Sequence, residues 1–187
     1  MAVPRILGID PGLNTTGYAV LEVQPARAVL VEAGMIKTAV RRATPEMAER
    51  LKSLYDGLIE VIDQHKPTAL SIEQLYAHYD HPRTAILMGH ARGVILLAAG
   101  QRGMTVASYA ATSIKKTVTG SGRASKEQMQ LVMLREFRLD AMPEPHDVAD
   151  AMAIALCHYY HRGEQQHLPG ARGRHGVGVN LAALTGD

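Results

Sequence analysis

RILGIDPGLNTTG, residues 5–17, is an apolar run that ends in Asp10 and breaks at Pro11-Gly12. Such a run predicts a buried strand feeding a turn. An acid at that place stands at the rim of a core, on a rigid element, facing whatever space the turn leaves open. Asp-Pro-Gly is also ordinary turn chemistry, so Asp10 taken alone could do no more than start the turn. What decides between the two readings is whether other acids stand where they can converge on it.

Tyr18–Gln24 and Ala28–Lys37 read as a second and a third strand, separated by Pro25-Ala26. Three successive strands with short connections predict an antiparallel meander. Thr44-Pro45-Glu46 has the form of a helix start, and Met47, Leu51, Leu54, Leu58, Val61 and Ile62 recur at helical spacing as far as His65. Lys66-Pro67 ends that helix. Ala69-Leu70-Ser71-Ile72 then leads to Glu73, a second apolar run ending in an acid. Because it follows a helix, it is expected to lie parallel to the first strand.

Gln74–Pro82 reads as a loop carrying Tyr76 and Tyr79, and Arg83–Gly100 as a helix that Gly89, Ala91 and Gly93 make thin enough for close packing. A fifth strand follows at Thr105–Tyr109, then a short helix over Ala111–Val118 with Lys115 and Lys116. Ser125-x-x-Gln128 is a capping box that opens a helix to Phe137. After Pro143-Glu144-Pro145 the helical pattern resumes at His146, with Asp147 and Asp150 sharing one side of its first turn. Residues 1–162 are expected to form the folded domain. Residues 163–187, rich in Gly, Arg and His, are expected to be a flexible or disordered tail.

A chain of 187 residues, 47% apolar and 20% charged, predicts one soluble globular domain. The net charge is only +2, but it is unevenly spread. His81 to Lys126 contains no Asp or Glu and carries seven cations, Arg83, Arg92, Arg102, Lys115, Lys116, Arg123 and Lys126, which leaves −5 (2 minus 7) on the rest. Segregation of this kind predicts a basic surface beside an acidic site. Cys157 is the single cysteine, which excludes an internal disulfide and fits a reducing, cytoplasmic setting. No secretory leader is expected at the N-terminus. The most apolar run, Ala85–Ala99, is interrupted by Gly89, His90, Arg92 and Gly93 and is too short to span a bilayer, so no membrane partner is expected.

The elements run as three strands, a helix, a strand, a helix, a strand and then helices. This order predicts an α/β fold with a five-stranded mixed sheet, three antiparallel strands then two parallel, and helices on both faces. Acids then stand at the end of strand one (Asp10), at the end of strand four (Glu73) and on the first turn of the last helix (Asp147, Asp150). With strands one and four as neighbours, their last residues lie side by side. Four carboxylates so arranged repel one another unless cations sit among them, and hard oxygen ligands suit Mg²⁺ or Mn²⁺. Two such ions about 3.5–4 Å apart would align an attacking water and stabilise the leaving oxygen in phosphodiester hydrolysis.

The ordered set GIDPGLNTTG, SIEQLY, GHARG, YAATSIKKTVTGSGRASKEQM and HDVADAMAIA, within Arg5–His161, resembles the RuvC family of bacterial Holliday-junction resolvases, which have an RNase H-like fold. The resemblance implies that Asp10, Glu73, Asp147 and Asp150 are catalytic acids that bind two metal ions per site. It also implies a homodimer that nicks two like-polarity strands of a four-way DNA junction symmetrically, in recombination and repair, alongside a RuvA–RuvB branch-migration complex. Lys115 and Lys126 fall where the family has basic residues near the active site, and would contact phosphate. Lys116 and Arg123, in the same acid-free segment, are expected to join them on DNA.

Tyr76 falls where relatives often carry Phe, an aromatic that stacks at the unpaired crossover. Tyr79 either joins it or only pins the loop. Some relatives use a histidine as a metal ligand in the turn before the last helix. Here Asp147 keeps the matching spacing to Asp150 and is preferred, while His146 stays a candidate for the ligand shell or for acid–base work. Two other classes compete. GIDPGLNTTG also resembles the first phosphate loop of actin-like ATPases and sugar kinases, but those close two such domains around a nucleotide, and no second glycine-rich loop is present. A non-catalytic junction-binding or RNA-processing relative is the other alternative, and the presence of all four acids argues against it.

Overall fold

The computed structural model describes residues 3–12, 14–38, 46–75 and 82–167. Strands β1 (Arg5–Asp10), β2 (Thr15–Val23), β3 (Ala28–Lys37), β4 (Ala69–Glu73) and β5 (Thr105–Tyr109) form one sheet in the order β3-β2-β1-β4-β5. The first three strands pair antiparallel, and β4 and β5 continue the sheet parallel to β1. Helices α1 (Met47–His65) and α2 (Pro82–Gln101) pack on one face of the sheet. Helices α3 (Ala111–Thr119), α4 (Lys126–Glu136) and α5 (His146–His167) cover the other. The mixed sheet and two-sided helical cover are those expected from the sequence.

β1 is buried on both faces, which is why it reads as a continuous apolar run. Leu7 and Ile9 face the core under α1 and α2, whereas Ile6 faces the core under α5. Side chains alternate along a strand, so Asp10, one step past Ile9, falls on the α5 face. Ile72 and Glu73 repeat this arrangement at the end of β4, Ile72 lying under α1 and α2.

Two glycines let α5 approach the sheet closely. A Cβ at Gly8 would fall inside 3.0 Å of the Ala151 carbonyl, and one at Gly17 inside 3.0 Å of the Asp147 carbonyl. The α5 residues that stand over Gly8 are correspondingly small, Ala151 and Ala155, both buried. The start of α5 is also tied from α4. Buried Gln130 donates from Nε2 to the Pro143 carbonyl at 2.9 Å.

Three boundaries differ from expectation. β2 begins at Thr15 rather than Tyr18, because pairing with β1 continues to Asp10 opposite Gly17, and Thr15 pairs with Lys37 on the other side. The proposed helix start at Thr44-Pro45 lies outside the described residues; α1 begins at Met47, after Glu46, with no side-chain hydrogen bond at its cap. α5 runs on to His167 rather than stopping at Arg162. Gly163 lowers helix stability by only about 1 kcal/mol, and the next proline is Pro169. Residues 168–187 of the expected tail lie outside the described residues. The capping box at Ser125 forms in full, with Ser125 Oγ accepting from Gln128 N–H and Gln128 Oε1 accepting from Ser125 N–H.

Candidate active site

Parallel pairing sets Ile9 beside Ile72. Asp10 and Glu73 therefore finish adjacent strands next to each other. The turn after Asp10 is pinned rather than open. Thr16 Oγ1 donates to the Gly12 carbonyl at 3.0 Å, and Arg50 of α1 donates to Asn14 Oδ1 at 2.8 Å. From above, α5 rests on Gly8 and Gly17 and brings the first-turn acids Asp147 and Asp150 over the two strand ends. Thr15 Oγ1 donates to Asp147 Oδ2 at 2.9 Å and fixes its orientation.

The electrostatics agree with this convergence. Burial, followed by the charges of Asp150, Glu73 and Asp147, pushes the Asp10 carboxyl up to about 8, against a small opposing pull from Lys126. Burial and Asp150 raise Glu73, with Lys115 opposing. Burial raises Asp150, where Lys126 opposes and Asp147 adds to the shift. Among the described residues none of the four acids forms an ion pair. No three carboxylate, histidine or cysteine groups among those residues converge into a ready-made metal cage either. The donor set is nevertheless all hard oxygen, and a buried carboxyl beside three other acids holds its charge at neutral pH only when a cation joins it. The residues thus fit a divalent ion of the Mg²⁺ or Mn²⁺ type.

Lys115 and Lys126 line a pocket of about 210 Å³ together with Glu73 and Asp150. Lys116 does not share it. One residue on along α3, it turns away and borders a separate groove with Ser113, Tyr160 and His161. Arg123 is exposed in the turn before α4, and His146 is exposed at the start of α5. A protonated His146 would favour the ionised form of Asp150. Tyr76 and Tyr79 lie outside the described residues. A larger hollow of about 580 Å³, lined by Gln24, Arg27, Glu136, Tyr159 and Arg162 among others, contains none of the four acids.

Sequence reasoning missed two side chains at the site. Thr15 looked like part of a loop. Arg92 was counted only as surface charge, yet its Nη2 donates to Ser108 Oγ at 2.8 Å and its Nη1 donates to the Glu73 carbonyl. The available signal was its helical spacing, four residues after Met88 and three before the fully buried Ile95, which turns it inward. Asp10, Glu73, Met88 and Arg92 border a small pocket of about 80 Å³.

Comparison with known proteins agrees over nearly the whole described chain. The family model for crossover junction endodeoxyribonuclease RuvC matches residues 6–158. A RuvC from Rhodopirellula baltica is 54% identical over 155 residues, 83% of this chain and 85% of that protein. One from Pelotomaculum thermopropionicum is 42% identical over 156 residues, 83% of this chain and 93% of that protein. The structure of Thermus thermophilus RuvC in complex with Holliday junction substrate aligns with a TM-score of 0.77 at 30% identity, covering 86% of this chain and 96% of that one. The five-stranded mixed sheet, the ordered motifs and these matches agree: the chain belongs to the RuvC family of crossover junction endodeoxyribonucleases, with the RNase H-like fold.

Proposed function

We propose that this RuvC-family hydrolase cuts the phosphodiester backbone of four-way DNA junctions through Asp10, Glu73, Asp147 and Asp150, which hold two Mg²⁺ or Mn²⁺ ions per site. The observation that carries this reading is the meeting of four carboxylates, two at strand tips and two on the first turn of α5, with no ion-pair partner among the described residues and with Lys115 and Lys126 on the same cleft. Bound there, divalent ions would activate the attacking water and stabilise the leaving oxygen. Asp10 is the central ligand, since the other three acids all act on it. Thr15 keeps the Asp147 carboxylate turned toward the site. Lys115 and Lys126 meet the scissile phosphate and offset charge as it develops. His146 joins the ligand shell or exchanges protons at the mouth of the cleft.

Arg123, Lys116 and Tyr76 extend the DNA track beyond the cleft, with Lys116 on an outer segment because α3 turns it away from the acids. The enzyme works as a homodimer, so that two sites face two strands of like polarity. A stripe of α2 supports this: Ile86, Gly89, Gly93 and Leu97 are exposed along one side, and a Cβ at either glycine would meet nothing within 4 Å among the described residues. The setting is cytoplasmic, the folded unit is the nuclease domain, and RuvA–RuvB is the expected companion. No helix among the described residues is long and apolar enough to cross a membrane.

The test is a cleavage assay on synthetic four-way junctions with and without Mg²⁺ or Mn²⁺, mapping both cut sites. Symmetric, ion-dependent nicks with duplex DNA spared are expected. Ion-independent cutting, or duplex cut equally well, would sink the reading.

A further inference from the structure

We propose that Arg92 is a positioning residue for the metal site, setting Glu73 from the face of the sheet opposite α5; this rests on the reading that the four acids hold divalent ions. β4 ends at Glu73. There the Arg92 guanidinium, reaching down from α2, donates to the Glu73 carbonyl through Nη1 and to Ser108 Oγ on β5 through Nη2, the latter at 2.8 Å. Ser108 pairs with Ile72, so both contacts lie on the α2 side of the same two strand tips. The Glu73 carboxylate hangs on the other side, toward Asp150. Arg92 therefore fixes the backbone from which a metal ligand projects without touching the ligand oxygens.

The choice of arginine is informative. A guanidinium is a planar fork that can satisfy two acceptors at once, which a lysine cannot reproduce. Among the described residues Arg92 has no acid as an ion-pair partner. Its positive charge is directed at a carbonyl oxygen that backs directly onto a cluster of acids. Partners bonded to a metal ligand's own donor group typically change metal affinity by about 10–100-fold when removed, and Arg92 acts one step further back, on the backbone that carries the carboxylate.

The experiment measures Mn²⁺ binding by the loss of the free-ion electron paramagnetic resonance signal, in wild type and in Arg92→Gln, Arg92→Lys and Ser108→Ala, with single-turnover junction cleavage across a Mn²⁺ titration. Arg92→Gln is expected to bind Mn²⁺ up to about 10-fold more weakly, the low end of the range for direct partners of a ligand. Its cleavage should be lost at low Mn²⁺ and largely recovered at high Mn²⁺, with metal-free junction affinity unchanged. Arg92→Lys should recover only part of the loss, and Ser108→Ala should show a smaller shift in the same direction. Wild-type Mn²⁺ affinity in Arg92→Gln overturns the proposal, as does a fall in maximal rate with no shift in the Mn²⁺ midpoint. If Arg92→Gln does not fold, Ser108→Ala decides, and an unshifted Mn²⁺ affinity there overturns it equally. Asp10→Asn is run beside them: normal Mn²⁺ binding and cutting in that variant would remove the metal-site reading itself, whatever Arg92 does.

Discussion

At the edge of the sheet where β1 begins, charges are matched within the chain. Arg5 donates to the His65 carbonyl at 3.1 Å, across the C-terminal end of α1, and to Glu22 at 3.3 Å. His65 Nε2 lies 2.9 Å from Glu32, and Arg102 holds Asp63 through two bonds of 2.9 Å. At the opposite edge, where β1 and β4 finish, Asp10, Glu73, Asp147 and Asp150 gather with no ion-pair partner among the described residues. The first edge uses charge to close the fold. The second leaves like charges together in a partly buried place, which destabilises the metal-free chain and is tolerable only where a ligand completes the site.

The largest effect that can break this comparison comes from Asp10→Asn. Cleavage should fall by at least about 10³-fold, because a ligand charge central to the site is gone. Junction binding should persist, since the lysines are untouched. The metal-free protein should become more stable, by about 1–3 kcal/mol at neutral pH. The sign follows from the direction of the shift. Asp10 titrates near 8 when folded against 3.8 ordinarily. Between those values the native state holds the proton more tightly than the unfolded chain, so stability falls as pH rises through that window. Urea midpoints in EDTA across pH should slope downward in wild type and flatten in Asp10→Asn. A variant that cuts normally, or an unchanged slope, would mean the acids do not act on one another as described.

Adding the ions back should move the same edge. EDTA should stop cleavage, and Mg²⁺ or Mn²⁺ should raise the melting temperature of wild type while leaving Asp10→Asn nearly unmoved. Equal stabilisation of both proteins would place the ions elsewhere.

Much of this edge was legible in the chain. Two apolar runs ending in acids, separated by a helix, suffice to set Asp10 and Glu73 side by side, because a parallel neighbour is the natural outcome of a strand–helix–strand connection. The three-residue spacing of Asp147 and Asp150 gave their shared face. What was not legible depends on contacts between distant elements. Gly8 looks like one more residue of an apolar strand, and Gly17 like part of a turn; only the approach of α5 shows why neither can carry a side chain. Thr15 became a strand residue and an Asp147 partner through its register with β3. Lys115 and Lys116 are indistinguishable in sequence, and only the seating of α3 separates the one at the acids from the one that faces away.

Gly17→Ala tests that approach and should have an intermediate effect. The new methyl would push into the Asp147 carbonyl, and relieving the overlap means shifting the start of α5. Overpacking of this kind costs about 1–3 kcal/mol. Cleavage should fall about 10–100-fold, because small displacements of catalytic groups are heavily penalised. Gly8→Ala, beneath Ala151 further along α5, should cost similar stability. Thermal melts and single-turnover rates read both. A Gly17→Ala protein with wild-type stability and rate would show that α5 is not held by this contact.

The smallest effect belongs to the matched edge. Hydrogen bonds from Gln24 and Arg5 hold the Glu22 carboxyl below its ordinary value of 4.5, and Arg102 does the same for Asp63. For these acids the stabilisation is present above the ordinary carboxylate range and is lost as pH falls through the folded value, the reverse of the Asp10 slope. Both pairs are solvent-accessible, so Glu22→Gln should lower the melting temperature only slightly at neutral pH and leave junction cleavage at the wild-type rate. The difference should shrink further on acidification, because the wild-type carboxylate is then protonated as well. Melting curves of Glu22→Gln and Asp10→Asn over one pH series therefore separate the two edges by sign. The change at Glu22 should be a loss that fades toward acid, and the change at Asp10 a gain that grows toward neutral pH. If the two variants moved the melting temperature in the same direction at every pH, charge would be serving the same purpose at both ends of the sheet.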